Sequence, residues 1–500
     1  MKTKIFFIVL ILSYVSVFSQ DITDAVRFAR QDMMGTARFT GMGGAFSSLG
    51  GDLSAIGVNP AGSSIFLTNH ASGTLNLNIR NNDVNFRDGF TDDTETTFDL
   101  NQAGIIFVFA SNNEDETISK FAYGFNYDQI ANYNDSYFAR GNNNQSIDQF
   151  FLNSAEGLPL DLLTPLDGES TADLYRFLGE NEGTSAQNAL LGFQSFIFDP
   201  VNPDDLNNTE YVSNVTASSF LQDYFIREKG YNGKFSFNAS LELNKRFYFG
   251  LNLNAHYMEY ERFTSFIESN TDATSEINRI RFENRLTTRA NAFSFQLGTI
   301  AKITDELRAA VSYNSPTWYN VSDETTQFIR TDSNEFGASQ VDPRVLNIFP
   351  DYNYRTASKW TGGLSYVFKS KGLISIDYSI QDYSNAKFTS RDLRFLNADI
   401  NENLTSAANL NIGGEYVFKQ LKFRGGYFLQ ETPYENDFVQ GDLEGFSLGL
   451  GYTISNINID LAYSRATMER SDRLLQTGLN DRANLDSDIS NLFLTFSFGF

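Results

Sequence analysis

Two histidines, no cysteine and one glycine-rich run are the residues from which chemistry in this chain would have to come. The run, residues 35–66, reads GTARFTGMGGAFSSLGGDLSAIGVNPAGSSIF. Gly41-Met42-Gly43-Gly44 invites comparison with a phosphate-cradling loop. Phe46 stands where a dinucleotide fingerprint needs its third glycine, however, and no strand–helix–strand unit with an acidic ribose partner follows. The lack of cysteine excludes a disulfide framework, a thiolate metal site, a cysteine nucleophile and a lipid-modified N-terminal cysteine. His70 and His256 are too few for a histidine-rich metal or haem centre. An outer-surface hydrolase would need a serine paired with His256, and the sequence identifies none. The expectation is therefore a protein without cofactor, metal or catalytic set, and not an enzyme. What the run offers is conformational. Pro60 fixes its own φ and keeps Asn59 out of the helical region. Asn59 can bond backbone groups in a bend, and the small residues allow close backbone packing. Asn59, Pro60, Ala61 and Gly62 are thus the candidate gating residues. The same four residues equally suit a plain tight turn that packs a scaffold.

The elements that must position them are strands. Asn491–Phe500 reads NLFLTFSFGF, with Leu492, Leu494, Phe496, Phe498 and Phe500 on one phase. That is period-two alternation, one apolar face per strand. It recurs at Phe235/Phe237/Ala239/Leu241/Leu243, at Phe247/Phe249/Leu251/Leu253/Ala255/Tyr257, at Ile374/Ile376/Tyr378/Ile380 and at Phe446/Leu448/Leu450/Tyr452/Ile454. Very short links (Lys245–Arg246, Lys369–Gly372, Lys419–Gln420, Ser455–Asn456) alternate with long polar ones. Short turns on one side and long loops on the other are the rhythm of an outer-membrane barrel, here of about 14 strands. The 47 Phe and 24 Tyr fit a lipid-facing surface with aromatic girdles. The mean hydropathy of −0.31 does not argue against it, because lipid-facing and lumen-facing residues cancel. The competing fold is a soluble β-sandwich with one solvated face.

Three segments lie outside that rhythm. Residues 1–19 read as a signal peptide: Lys2 and Lys4, an apolar run from Ile5 to Phe18, then Val17 and Ser19 as small cleavage-site residues. Residues 20–68 form an N-terminal plug, before a first clear strand at Ser72–Arg80. Residues 69–500 form the barrel, with 141–230 a long, partly helical extracellular insertion. Helix-like pieces fall at Thr171–Glu180 and Ser185–Phe196. A loop of that length is uncommon unless functional. Its apolar residues Leu158, Leu160, Leu162, Leu163, Leu190, Leu191, Phe193 and Phe196 are candidates for contact with a hydrophobic ligand, or for the core of a small helical cap. His256 lies on the polar phase of its strand and faces the lumen, as a ligand contact or a hydrogen-bonded filler. Arg246, Arg262, Arg285 and Arg289 are rim or lumen charges. The formal charge of −23 excludes nucleic acid as a partner through the general field.

The run from Ala37 to Gly62 resembles the plug of the long-chain fatty-acid transporter (FadL) family. There a small-residue stretch like Ala37–Phe46, an acidic stretch like Asp52–Ala55 and Asn-Pro-Ala-Gly, here residues 59–62, occur in this order before a barrel. Leu421–Pro433 and Gly445–Ser464 look like the family's last strands, Asp377–Phe388 resembles a strand found midway, and Tyr313–Pro316 is similar to another strand end. With its insertion the chain looks most like Bacteroidetes-type members.

The resemblance implies passive outer-membrane uptake of hydrophobic molecules such as long-chain fatty acids in a Gram-negative cell. An external apolar groove captures the ligand, the plug rearranges, and the ligand leaves sideways through a strand irregularity into the bilayer. Here the third strand should lie near Ser119–Asp128, and Gly124 is the candidate irregularity. The implied partners are fatty acids, outer-membrane lipid and, through the terminal strand ending in Phe500, the barrel-assembly machinery, with the barrel a monomer. The alternative is a PorV-like secretion accessory, which shares the NPAG region but binds protein partners. A haem receptor is disfavoured by the two histidines and the short plug.

Overall fold

The computed structural model describes residues 22–113, 116–335 and 337–500; the signal segment and Gln20 lie outside them. Fourteen antiparallel strands close into one barrel. In chain order these are β1 His70–Phe86, β2 Gly89–Ala110, β3 Ile118–Asn132, β4 Phe220–Leu243, β5 Phe247–Ser269, β6 Ile277–Lys302 and β7 Leu307–Asn314. They continue as β8 Lys359–Val367, β9 Gly372–Asp382, β10 Ser406–Phe418, β11 Leu421–Gln430, β12 Leu443–Ile454, β13 Ile457–Arg473 and β14 Arg482–Gly499. Closure is made by β14 on β1, from His70 opposite Gly499 to Asn85 opposite Asn484. The Phe500 amide donates to Asn69 O at 3.0 Å.

The alternation read from sequence becomes two surfaces. Phe235, Phe237, Leu251, Leu253, Leu448, Leu450, Phe496 and Phe498 point outward and are exposed. Asn76, Asn126, Asn238, Asn252, Asn254 and Gln296 point into the lumen and are buried. No described helix is long and apolar enough to cross a membrane; a closed barrel crosses with its strands. The short turns gather at one end, where Lys245, Lys369, Lys419 and Ser455 take positive φ to reverse the chain in few residues.

At the other end the strands rise beyond the apolar band. The upper arm of β3, Asp135–Asn143, pairs with the first part of β4 from Asn143 opposite Phe220. The stretch expected as insertion, 141–230, is therefore strand at both edges, and only 144–219 forms the cap. The strand signal fails there because no lipid requires an apolar outer face: exposed Arg140 bonds Asp223 across β3 and β4. The first strand likewise exceeds Ser72–Arg80, running from His70 to Phe86. Two helices precede the barrel, α1 Ile22–Ala29 and α2 Ala37–Thr40, and the cap holds four: α3 Asp148–Ala155, α4 Leu160–Leu163, α5 Thr171–Asn181 and α6 Thr184–Gln194. It packs on the strand tops, with Phe150 and Phe151 against Phe282 of β6 at 5.5 and 5.2 Å.

Candidate functional site

Inside the lumen lies the segment that carries the glycine-rich run. Asn59 is extended (φ −140°), as the following proline requires, and its Oδ1 accepts the Ala61 amide at 3.0 Å to start a 3-10 turn over Pro60–Ile65. Its Nδ2 donates to Ser47 O at 2.8 Å and to Thr299 O of β6 at 3.0 Å. One buried amide thus shapes the bend, ties it to an earlier part of the plug and pins both to the wall. The wall is recessed to receive it. Gly250 and Gly298 face each other across β5 and β6. A β-carbon on Gly298 would overlap Asn59 Oδ1, and one on Gly250 would overlap the Pro60 carbonyl carbon. Gly413 and Gly426, paired across β10 and β11, receive Met42–Gly43 in the same way.

Other wall strands hold the rest of the plug. Asp377 of β9 accepts the Ser47 amide and hydroxyl, both at 2.6 Å. Glu415 of β10 accepts Arg38 Nε at 3.2 Å, and Arg424 of β11 at 2.7 Å. Thr495 of β14 accepts the Ala37 amide at 2.7 Å, and Asn238 of β4 donates to Pro60 O at 3.0 Å. Sequence reading missed these clamps. The signal was there, in glycines on the inward phase of several strands.

Above the plug three spaces adjoin. An outer vestibule of about 650 Å³ is lined by Tyr137, Tyr224, Tyr260, Arg262 and Leu474. Its floor is helix α1, Ile22–Ala29. An aromatic collar holds this helix: Phe28 lies 5.3 and 5.2 Å from the rings of Tyr319 and Tyr354, and Arg27 sits 3.9 Å over Tyr260. Below it, a side slot of about 150 Å³ combines Met33, Met34, Leu443, Met468 and Ile489 with Arg80 and Arg470. Both arginines share Asp135, at 3.4 and 2.8 Å, and the buried Arg80 Nε has no hydrogen-bond partner among the described residues. Beside the slot, a chamber of about 180 Å³ is lined by Phe28, Met33, Asp128, Gln129, Lys234 and His256. Arg30 borders all three spaces. Beneath the plug, a polar space of about 250 Å³ contains Arg38, Asp52, His70 and Lys422.

The chamber meets the wall where the wall is imperfect. β2 pairs with β3 only up to Gln102 opposite Asp128. At that height Asn101 is an extra residue in the β1–β2 ladder, and Ile130 an extra residue in the β3–β4 ladder. Two facing bulges bend adjacent strands apart. Across the resulting seam Asn132 Nδ2 reaches Thr97 Oγ1 at 3.1 Å and Asp99 Oδ2 at 3.2 Å. Phe98 and Leu100 stand exposed on the outer face beside it. The irregularity thus lies above Gly124, which pairs regularly with Ile106 and Asn238. A glycine was the wrong signal, since these bulges are built from Asn and Ile.

The other candidate residues are spread over the molecule. Leu163, Leu190 and Leu191 are buried in a core that the cap shares with the strand tops, with Leu158, Leu162 and Phe193 packed against it, and Leu160 is buried too. Phe196 is 41% exposed. None of these eight lines the four spaces described. His256 does reach the chamber, its Nε2 2.8 Å from Ser294 Oγ. His70 opens β1 and lies 5.0 Å from the Phe66 ring. Of the four arginines singled out, Arg262 lines the vestibule, whereas Arg285 and Arg289 pair on the exposed surface with Glu261 and Glu259. Arg246 lies in the turn between β4 and β5. The arginines of the slot were missed, although Arg80 stands on the inward phase of β1 between Asn78 and Asn82.

Comparison with known proteins places this architecture. A family model described as outer membrane protein transport protein (OMPP1/FadL/TodX) matches residues 205–496. The crystal structure of a Pseudomonas aeruginosa FadL homologue is similar with a TM-score of 0.55 at 14% identity, over 94% of this chain and 99% of that one. The crystal structure of the P. putida toluene transporter TodX is similar with a TM-score of 0.50 at 13% identity, over 94% and 99%. At such identities the likeness is one of fold. No curated protein matches the chain by sequence.

Proposed function

The chain belongs to the FadL/TodX family of outer-membrane transport proteins, and on that premise we propose that it takes up long-chain fatty acids and releases them sideways into the bilayer. The observation that carries the proposal is the seam between β2 and β3, which opens where the chamber touches the wall. A straight path would have to detach the plug from the wall strands that clamp it. A sideways path requires that the contacts of Asn132 with Thr97 and Asp99 give way, and leaves the Ala37–Gly62 run clamped.

The remaining steps follow from the chemistry of the spaces. An acyl chain gains about 0.8 kcal/mol for each methylene it buries, so capture needs no energy source. On the cap, exposed Phe177 lies on α5, and Tyr175 of the same helix bonds Asn347, whose neighbours Leu346 and Ile348 are also exposed. These residues offer a first apolar surface. The vestibule leads to the slot, where apolar side chains face two arginines. That pairing suits an amphiphile with a carboxylate better than a neutral hydrocarbon, because a buried anion needs a charged, hydrogen-bonding partner. The toluene transporter among the similar folds makes a neutral aromatic the natural competitor.

Uptake of labelled oleate and labelled toluene by cells lacking the gene, then restored with the intact gene or with Arg80→Gln, separates the two. The proposal expects oleate uptake to be lost on deletion, restored by the intact gene and weakened by R80Q, with toluene unchanged throughout. Oleate uptake that survives deletion overturns fatty acid as the substrate, and moves weight to another hydrophobic ligand or to the secretion-accessory role.

A further inference from the structure

Where β2 leaves β3, a strand edge is left unpaired inside the wall. The Tyr133 amide donates to Gly230 O of the β4 side at 2.9 Å. By alternation the neighbouring Asn132 amide and Ile130 carbonyl point the other way, toward the vacated place of β2. Both groups are met by a single residue of the lumen segment. The Asp32 amide donates to Ile130 O at 2.8 Å, and the Asp32 carboxylate accepts the Asn132 amide at 2.9 Å. Asp32 therefore stands in for one residue of a missing strand, its side-chain oxygen replacing the backbone carbonyl. Its carboxylate is held from the lumen side by Arg30, Nε to Oδ1 at 2.8 Å and Nη2 to Oδ2 at 3.2 Å. Around the same seam Asn101 keeps both side-chain polar atoms buried without a partner among the described residues, and Gln129 keeps Oε1 so. Buried groups of this kind are costly, and they favour an alternative state in which they are met.

We propose that Asp32 is the positioning residue that couples occupancy of the lumen to opening of the seam. Arg30 borders the vestibule, the slot and the chamber. An anionic headgroup entering any of them competes with Asp32 for the guanidinium. Displacement of Arg30–Met34 then draws Asp32 away from Ile130 and Asn132, and the unpaired edge of β3 is free to part from β2. The coupling rests on the sideways route proposed above, and it names the residue that transmits the signal.

The chain has no cysteine, so Asn101→Cys places a single thiol behind the seam. Its labelling by N-ethylmaleimide in the purified, folded barrel reports seam opening. With Asp32 intact, oleate is expected to accelerate labelling. Asp32→Ala is expected to raise the ligand-free rate on the order of tenfold, the effect of losing one charge-assisted hydrogen bond, and to abolish the response to oleate. Asp32→Asn keeps an acceptor for the Asn132 amide and is expected to leave the ligand-free rate within about twofold. Equal acceleration by both substitutions, or by neither, overturns the role of Asp32. So does a rate indifferent to oleate with Asp32 intact, a result that does not depend on D32A folding. The sideways route is tested separately by a Thr97→Cys/Asn132→Cys cross-link. If the oxidised cross-link stops uptake while labelling ignores Asp32, the coupling falls and the route stands. If uptake continues through the cross-link, the route falls.

Discussion

Both ends of the Asn59 amide are engaged, one on its own turn and the other on Ser47 and Thr299. Asn59→Ala removes a cap and the hydrogen bonds donated to the Ser47 and Thr299 carbonyls. It is expected to loosen the plug by about 2 kcal/mol. Amide exchange over Ala61–Ile65 should then quicken about thirtyfold, and mass-resolved hydrogen exchange reads this directly. Gly298→Ala attacks the same contact from the wall, since its new methyl overlaps Asn59 Oδ1. Cells carrying G298A should become permeable to large hydrophilic antibiotics. Gly362→Ala is the silent control, for its nearest neighbour would be Ala310 O at 3.9 Å. The shape of the bend was legible from Asn59-Pro60, because proline geometry is local. The partners were not, because Thr299 and Asn238 come from strands far along the chain and only closure of the barrel brings them to the plug.

At the scale of elements, strands inside the lipid band announced themselves and those above it did not. A lipid-facing strand must alternate, while Phe220–Lys229 at the top of β4 faces water on one side and the cap on the other. The helices at Thr171–Asn181 and Thr184–Gln194 were visible; α3 was not, since Asp148-Gln149-Phe150-Phe151 carries no helical period distinct from a strand's. The cap it belongs to has a pH dependence. Asp148 is buried beside Ser213 and Ser146, and burial holds its carboxyl above the ordinary range near 3.8. A raised carboxyl contributes full stability below its unfolded value and loses it as pH rises through the folded one. The cap should therefore dock more tightly as pH falls from 7 toward 4. Higher protection factors of cap amides at the lower pH, after correction for the slower intrinsic exchange there, and a smaller change in Asp148→Asn, would bear this out; protection that falls on acidification would contradict it. Glu268, whose carboxylate accepts the Ile147 amide at 2.9 Å, lies in the same contact and stays in place in that variant.

For the whole molecule, the count of about 14 strands and the plugged lumen followed from alternation, turn rhythm and the small-residue run, because a closed sheet in lipid permits few other solutions. The functional interior was less legible. The Leu and Phe residues of the insertion attract attention as a ligand surface, yet Leu163, Leu190 and Leu191 are buried in the core between cap and strand tops, while Phe196 is exposed. The slot is lined by the Met33-Met34 pair, Arg80 and Met468, from three separate parts of the chain with no local signature. The seam was anticipated as an irregularity of the third strand, but bulges are made by mismatch between neighbours and cannot be read from one strand alone. Arg80 belongs to this scale too, since it joins the slot to Asp135 at the top of β3. Removing its charge should lower the apparent affinity for oleate roughly tenfold or more, the worth of one charge-assisted contact. Fluorescent fatty-acid titration of the purified barrel measures it.

The sideways route takes ligand out through the wall between β2 and β3. The direct measurement is oleate uptake by cells carrying Thr97→Cys/Asn132→Cys, compared before and after reduction. Release between β2 and β3 predicts uptake that is blocked while the disulfide bridges the seam and returns when it is reduced, with each single-cysteine variant active throughout. Unimpeded uptake through the oxidised barrel would contradict it and would place the exit through the plug.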